Sequence, residues 1–389
     1  MVLAIAVPIA LQNMISFGVA VMDSVMLGSL GDIAISAANL GGQPFSILMS
    51  IGFGLSSGGN VLIAQYWGRG DMERIRKVMR LSMQIVFCAS VGVTLLCLFA
   101  PVPIMRLYSG EEEVVRAAAS YLSLVAFSYV PYAVSNNYMM NLRAVEQVKV
   151  STAIYATSFF VNVIGNYAFI FGKFGAPALG VRGAAVGTII ARCSELVLVT
   201  IYMYTRERVT GFRFHHCFRL KNELVGNYAQ HSLPVLGNEL LWGVGFSITA
   251  AIIGRIGSVF VAANSIASVL NQLAFVSVIG VANAAAVLTG KTIGEGDRPR
   301  AQKTANTLLL MSVGLGVFNC ALLLAIRPLF LMLYNITPEA YAAAYSIIGV
   351  LALLQLTICL DVPCIVGILR GGGDTRTAFL YDCGALWFI

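Results

Sequence analysis

The chain has 389 residues, of which 58% are hydrophobic and 11% charged, and its formal net charge is +7. A mean hydropathy of +0.82 excludes an ordinary soluble domain, in which about 25% of residues carry charge. The apolar residues gather in runs of the ~20 residues that cross a ~30 Å hydrocarbon core, so a polytopic all-α membrane protein is expected.

Taken in order, the apolar runs predict helices over 2–27, 35–66, 78–100, 114–142, 149–171 and 180–204, then over 229–254, 259–290, 304–326 and 340–369, with an eleventh starting near 377. Met1 to Ala6 carry no basic stretch ahead of the first run, which therefore reads as a retained span rather than a signal peptide. The loops after the even-numbered helices hold most of the 25 Lys and Arg, which predicts a cytoplasmic N-terminus and cytoplasmic even loops. The same bias accounts for the net charge without nucleic acid, since no basic patch is interleaved with aromatic residues. Of the eight cysteines only Cys217 falls in a polar loop, so neither a disulfide framework nor a metal spacing is expected.

The two sets of helices are copies. Pro8 matches Pro234, Ala38-Asn39 match Ala263-Asn264, Gly68 to Asp71 match Gly294 to Asp297, and Leu142-Arg143 match Leu369-Arg370, at shifts of 225 to 227 residues. Two pseudo-symmetric six-helix lobes are predicted, 1–204 and 229–389, joined by a solvated cytoplasmic linker over 205–228. Six spans per copy, an even number, make the repeat a parallel one, with its axis along the membrane normal. Two copies of six need twelve spans, so the last one to two helices are expected to be missing.

Polar groups inside the spans are costly in hydrocarbon and mark candidate sites. Asp23 lies in the outer part of the first span; Asn162 and Asn166, one turn apart, share a face of the fifth, and Thr188 lies at similar depth in the sixth. One carboxylate with neutral amide and hydroxyl oxygens suits a hard monovalent cation such as Na⁺, for which Asp23 is the candidate ligand. Proton uptake by Asp23 would serve equally well, and Asn162 and Thr188 taken singly also fit a role in bonding helices together. In the seventh span Glu239 is followed by Trp242, a carboxylate and an indole that suit an amphipathic organic cation. Glu239 has the neutral Asn13 as its repeat mate. Asp361 in the tenth span, and Asn136 and Asn137 after Pro131 in the fourth, are further candidates for substrate contact. Arg192 and Glu195, one turn apart in the sixth span, read as a neutralised pair. Gly52, Gly54, Gly58 and Gly59 do not form a dinucleotide-binding fingerprint and no Walker sequence is present, so no enzyme and no cofactor are expected, and an ion gradient is the expected energy source.

The loop Ala64-Gln-Tyr-Trp-Gly-Arg-Gly-Asp71 and its echo Gly290-Lys-Thr-Ile-Gly-Glu-Gly-Asp297, the duplicated Leu-Arg pair, and the stretch Gly172 to Thr188 together resemble the multidrug and toxic compound extrusion family. The resemblance implies a twelve-helix, two-lobe antiporter in the plasma or inner membrane, which exchanges external Na⁺ or H⁺ for internal drugs and other organic, often cationic, compounds. It is expected to act as a monomer. The family pattern has an Asp in the first span and an Asn followed one turn later by an Asp in the fifth; Asn166 stands here in place of that second acid. Glu239 lies one turn nearer its helix-bending proline than the family's seventh-span acid, and Cys359 holds the position of the family's tenth-span acid, two residues before Asp361. Major-facilitator transporters also have two parallel halves, but their second-to-third loop pattern is not met by Gly68-Arg-Gly-Asp71. Lipid-linked oligosaccharide flippases, which are relatives with similar lobes, remain the alternative; a cavity rich in basic residues would suit their anionic substrates, and the spans here hold few Arg or Lys.

Overall fold

The structure, a computed structural model, describes residues 2–218, 223–256, 258–332, 334 and 337–388. Among them the chain is helical throughout, without a β-strand: α1 Val2–Gly28, α2 Asp32–Gly41, α3 Gln43–Arg69, α4 Met72–Phe99, α5 Pro101–Arg106, α6 Glu112–Val125, α7 Tyr129–Ala144, α8 Val148–Phe171, α9 Val181–Thr205, α10 Val225–Ile256, α11 Ser258–Gly294, α12 Arg298–Leu331, α13 Pro338–Val362 and α14 Thr375–Phe388. Nine helical stretches among the described residues are long and apolar enough to cross a membrane. Their surfaces expose many large apolar side chains, Phe99 at 85% and Leu310 at 73% among them, as expected where lipid is the solvent.

Prolines break three of the predicted continuous helices. Pro44 has no N–H for the carbonyl of Leu40, and the second predicted helix divides into α2 and α3 at Gly42. Pro131 cannot serve Phe127, and α6 passes into α7 through a 3₁₀ turn, Ala126–Ser128. Pro363 cannot serve Cys359, and α13 continues as a wide π-type segment, Pro363–Arg370.

The duplicated loop motif is helix punctuation. Gly70 and Gly296 adopt φ of +73° and +80°, a left-handed conformation that ends α3 and α11. Asp297 then caps α12, its Oδ1 accepting from the Arg300 N–H at 2.9 Å.

The described chain forms two compact units, Met1–Ala10 with Ala64–Asp71 and Gly237–Ile389, and Leu11–Ile63 with Met72–Leu236. Neither coincides with a repeat. In the first unit the ends of α3 and α11 cross reciprocally: a side chain on Gly68 would strike the backbone of Lys291, and one on Gly294 the backbone of Gln65. Gly280 lies against Ala6 and Ala10 in the same unit. In the second unit Gly54 and Gly58 abut the backbone of Leu236 and Ser232, and Tyr228 Oη donates to the Leu55 carbonyl at 2.9 Å. Each unit has a core of its own, one around Leu270, Leu323, Ile348 and Ala352, the other around Leu48, Val115, Leu122 and Tyr129.

The linker departs from the solvated loop expected of it. Glu207, fully buried, accepts from the N–H groups of Thr210 and Gly211 at 2.6 and 3.0 Å. Phe212 is buried beside Tyr138, and Gln84 Nε2 reaches from α4 to the Cys217 carbonyl at 2.6 Å. In the described part of the linker, exposed basic residues such as Arg206 and Arg208 therefore coexist with a buried apolar anchor and a buried carboxylate that binds backbone N–H groups. Residues 219–222 of the linker lie outside those described.

Candidate functional site

The second unit brings three of the four predicted cation-site residues together. Asn166 Nδ2, on α8, donates to Asp23 Oδ1 on α1 and, at 3.3 Å, to Asn162 Oδ1 one turn back. Asn162 and Asn166 are buried, Asp23 half-buried. The close approach of α9 comes from Gly187, whose backbone lies where any side chain would strike Asn166. Thr188 is the next residue but makes no hydrogen bond to the other three. Asn166 Oδ1 is buried without a protein partner, an unused acceptor beside a carboxylate. A carboxylate, an amide oxygen without a donor and a second amide oxygen form a donor set that fits a hard cation. Two groups not assigned to this cluster from sequence, Tyr121 on α6 and Arg192 on α9, also interact electrostatically with Asp23.

Arg192 Nη1 is 2.7 Å from Glu195 Oε1, and its guanidinium lies 4.7 Å from the centre of the Tyr132 ring. The pair joins helices, with Glu195 fully buried. The two asparagines of α7 separate. Asn136 is partly exposed and accepts from Tyr155 Oη at 2.7 Å. Asn137 is 1% exposed, and its Oδ1 accepts from both Ser56 and Ser82 at 2.7 Å. With its oxygen engaged twice and its amide nitrogen facing only the Met83 sulfur at 3.9 Å, this enclosed side chain ties α3, α4 and α7 together. Asn137→Ala, by leaving two buried hydroxyls without an acceptor, is expected to cost about 2 kcal/mol, read as a lowered thermal midpoint in detergent that Asn136→Ala does not reproduce.

In the first unit Glu239 is not an isolated acid, because Arg370 Nη1, at the end of the π-type segment, lies 3.1 Å from Glu239 Oε1. Arg370 Nη2 also lies 3.6 Å from Asp382 Oδ2 on α14, and Asn238 Nδ2 donates to that oxygen at 2.6 Å. Trp242 is one turn along α10 from Glu239, its ring 5.4 Å from that of Phe246. Asp361 is exposed and has no ion pair or side-chain hydrogen bond among the described residues. The sequence reading missed Asn238, Arg370 and Asp382. A lone Asp within the apolar run of α14 was the available signal.

The MatE family profile matches residues 8–168 and 234–384. Over its whole length the chain is 25% identical to a probable multidrug resistance protein NorM of Agrobacterium fabrum, spanning 84% of that protein, and 26% identical to a multidrug resistance protein MdtK of Yersinia enterocolitica, spanning 85% of it. The fold superposes on the crystal structure of a MATE protein in complex with MaD3S with a TM-score of 0.89 at 16% identity, covering 99% of this chain and 85% of the other.

Proposed function

We infer, because this chain belongs to the MatE family, that it is a cation-coupled antiporter that exports drugs or other organic cations from the cell by alternating access. Relatives named as multidrug resistance proteins support the export of drugs. The basic even-numbered loops support a cytoplasmic N-terminus in the cell membrane.

The observation that carries the coupling is the Asp23–Asn166–Asn162 cluster, a carboxylate with an unused buried amide oxygen beside it. Na⁺ or H⁺ arriving there changes the balance of charge among α1, α8 and α9. An ion shifts a conformational equilibrium only by its differential affinity for the two states, so the drug and the ion need not share ligands.

The test is efflux of a fluorescent cationic dye such as ethidium from proteoliposomes, with Na⁺ and pH gradients imposed separately. Uphill dye movement under one gradient and not the other identifies the coupling ion. No uphill movement under either, with transfer of a lipid-linked oligosaccharide in the same vesicles, would replace this reading with that of a flippase.

A further inference from the structure

Glu239, Arg370 and Asp382 differ in accessibility in a way that bears on charge. Their side chains are 23%, 3% and 10% exposed. Arg370 uses Glu239 Oε1 and Asp382 Oδ2, Asn238 clamps the same Asp382 oxygen, and Cys383 Sγ donates to Asn238 Oδ1 at 3.2 Å. Two carboxylates against one guanidinium leave an excess negative charge, and the most accessible member of the three is Glu239. Asp361 and Cys383 also lie in electrostatic reach of Asp382, and neither brings positive charge.

The first repeat serves as an internal control. At shifts of 226 and 227 residues, Gln12 stands for Asn238, Asn13 for Glu239, Arg143 for Arg370 and Tyr155 for Asp382. There Gln12 Nε2 donates to the Val148 carbonyl at 3.2 Å and to Thr152 Oγ1 at 2.8 Å, and Tyr155 Oη to Asn136 Oδ1. The positions matching Glu239 and Asp382 thus carry no carboxylate in the first repeat, and the nearest acid to Tyr155 there, Glu195, is already paired with Arg192. Two acids on one guanidinium, the one nearly buried and the other partly exposed, are expensive in a membrane and point to a ligand.

We propose that Asp382 sets the charge of a binding site for monovalent organic cations: by engaging Arg370, it leaves the accessible carboxylate of Glu239 to the ligand's cationic head. The proposal rests on the reading of the chain as an exporter of organic cations. Without Asp382 the whole guanidinium charge falls to Glu239, and the site becomes neutral.

The experiment measures equilibrium binding of tetraphenylphosphonium and of the neutral triphenylphosphine oxide to the full chain in lipid nanodiscs. Glu239→Gln and Asp382→Asn are each expected to lower the ratio of cation to neutral affinity about tenfold, or ~1.4 kcal/mol, whereas Asp382→Glu keeps it. Adding Arg370→Gln to Asp382→Asn restores the ratio, because Glu239 is then the only charge left. A purely structural Asp382 predicts the opposite, equal loss for both probes and a double variant worse than the single. If Glu239→Gln shifts the ratio and Asp382→Asn does not, the role of Asp382 is refuted while Glu239 keeps its assignment; if neither shifts it, both fall. Should Asp382→Asn fail to fold, the Asp382→Glu and double variants decide by the same ratio.

Discussion

Asp23→Asn is expected to reduce gradient-driven dye efflux to background, a loss of about 100-fold, with the amount of protein in the membrane unchanged. Shape and one acceptor survive the substitution: Asn166 Nδ2, which now donates to Asp23 Oδ1, finds an amide oxygen in its place. What disappears is the formal charge that would hold a cation or take up a proton. A charge-assisted contact contributes about 1.5–3 kcal/mol, and the upper part of that range is about a 100-fold loss of cation affinity, which the coupled efflux follows. Efflux and thermal stability are measured on the same preparation. Undiminished efflux at equal protein would remove Asp23 from the coupling site, and a collapsed melting temperature would make it a structural residue instead.

The second large effect is mechanical. Gly294→Val places a branched side chain against the backbone of Gln65, and Gly68→Val does the same at Lys291. Backbone cannot rotate away as a side chain can, so α3 and α11 must separate. Overpacking of a well-fitted contact costs ~1–3 kcal/mol and occasionally more, and a contact with backbone belongs at the upper end. Gly314→Val, on α12, where a side chain meets nothing within 4 Å, is the control. Thermal midpoints in detergent should fall by several degrees for Gly294→Val and Gly68→Val and stay put for Gly314→Val. Equal midpoints for all three would contradict the crossing.

The helices were legible because hydrocarbon imposes a long apolar run on every span, and the repeat was legible because Gly70, Gly296 and Asp297 each answer a local backbone requirement at the end of a helix. The cluster at Asp23 was legible in part: Asn162 and Asn166 lie four residues apart on one helix, so their common face follows from periodicity. Residues that meet across long stretches of chain were not. Asp382 reaches Asn238 over 144 positions and Arg370 reaches Glu239 over 131, and the proline-widened segment before Arg370 turns that side chain in a way that regular helical spacing does not anticipate. Asn136 and Asn137 both follow Pro131, and nothing in the sequence separates them; the two serine hydroxyls on Asn137 and the tyrosine on Asn136 do. The compact units cut across the repeats for a related reason: small residues such as Gly68 and Gly294 let segments far apart in sequence touch, and composition does not say which segments those are.

That crossing has a consequence for biosynthesis. The start of α1 and the end of α3 are made early, yet their neighbours within the same compact unit belong to residues 237–389. At about 5–20 residues per second, on the order of ten seconds separate the emergence of Asp71 from that of Gly237. During this interval the nascent first repeat presents a glycine-lined helix end with no surface to receive it. Insertion machinery that shelters this end favours the correct pairing, and a ribosome stall in the 205–228 region prolongs the time in which a second nascent chain can pair with it instead.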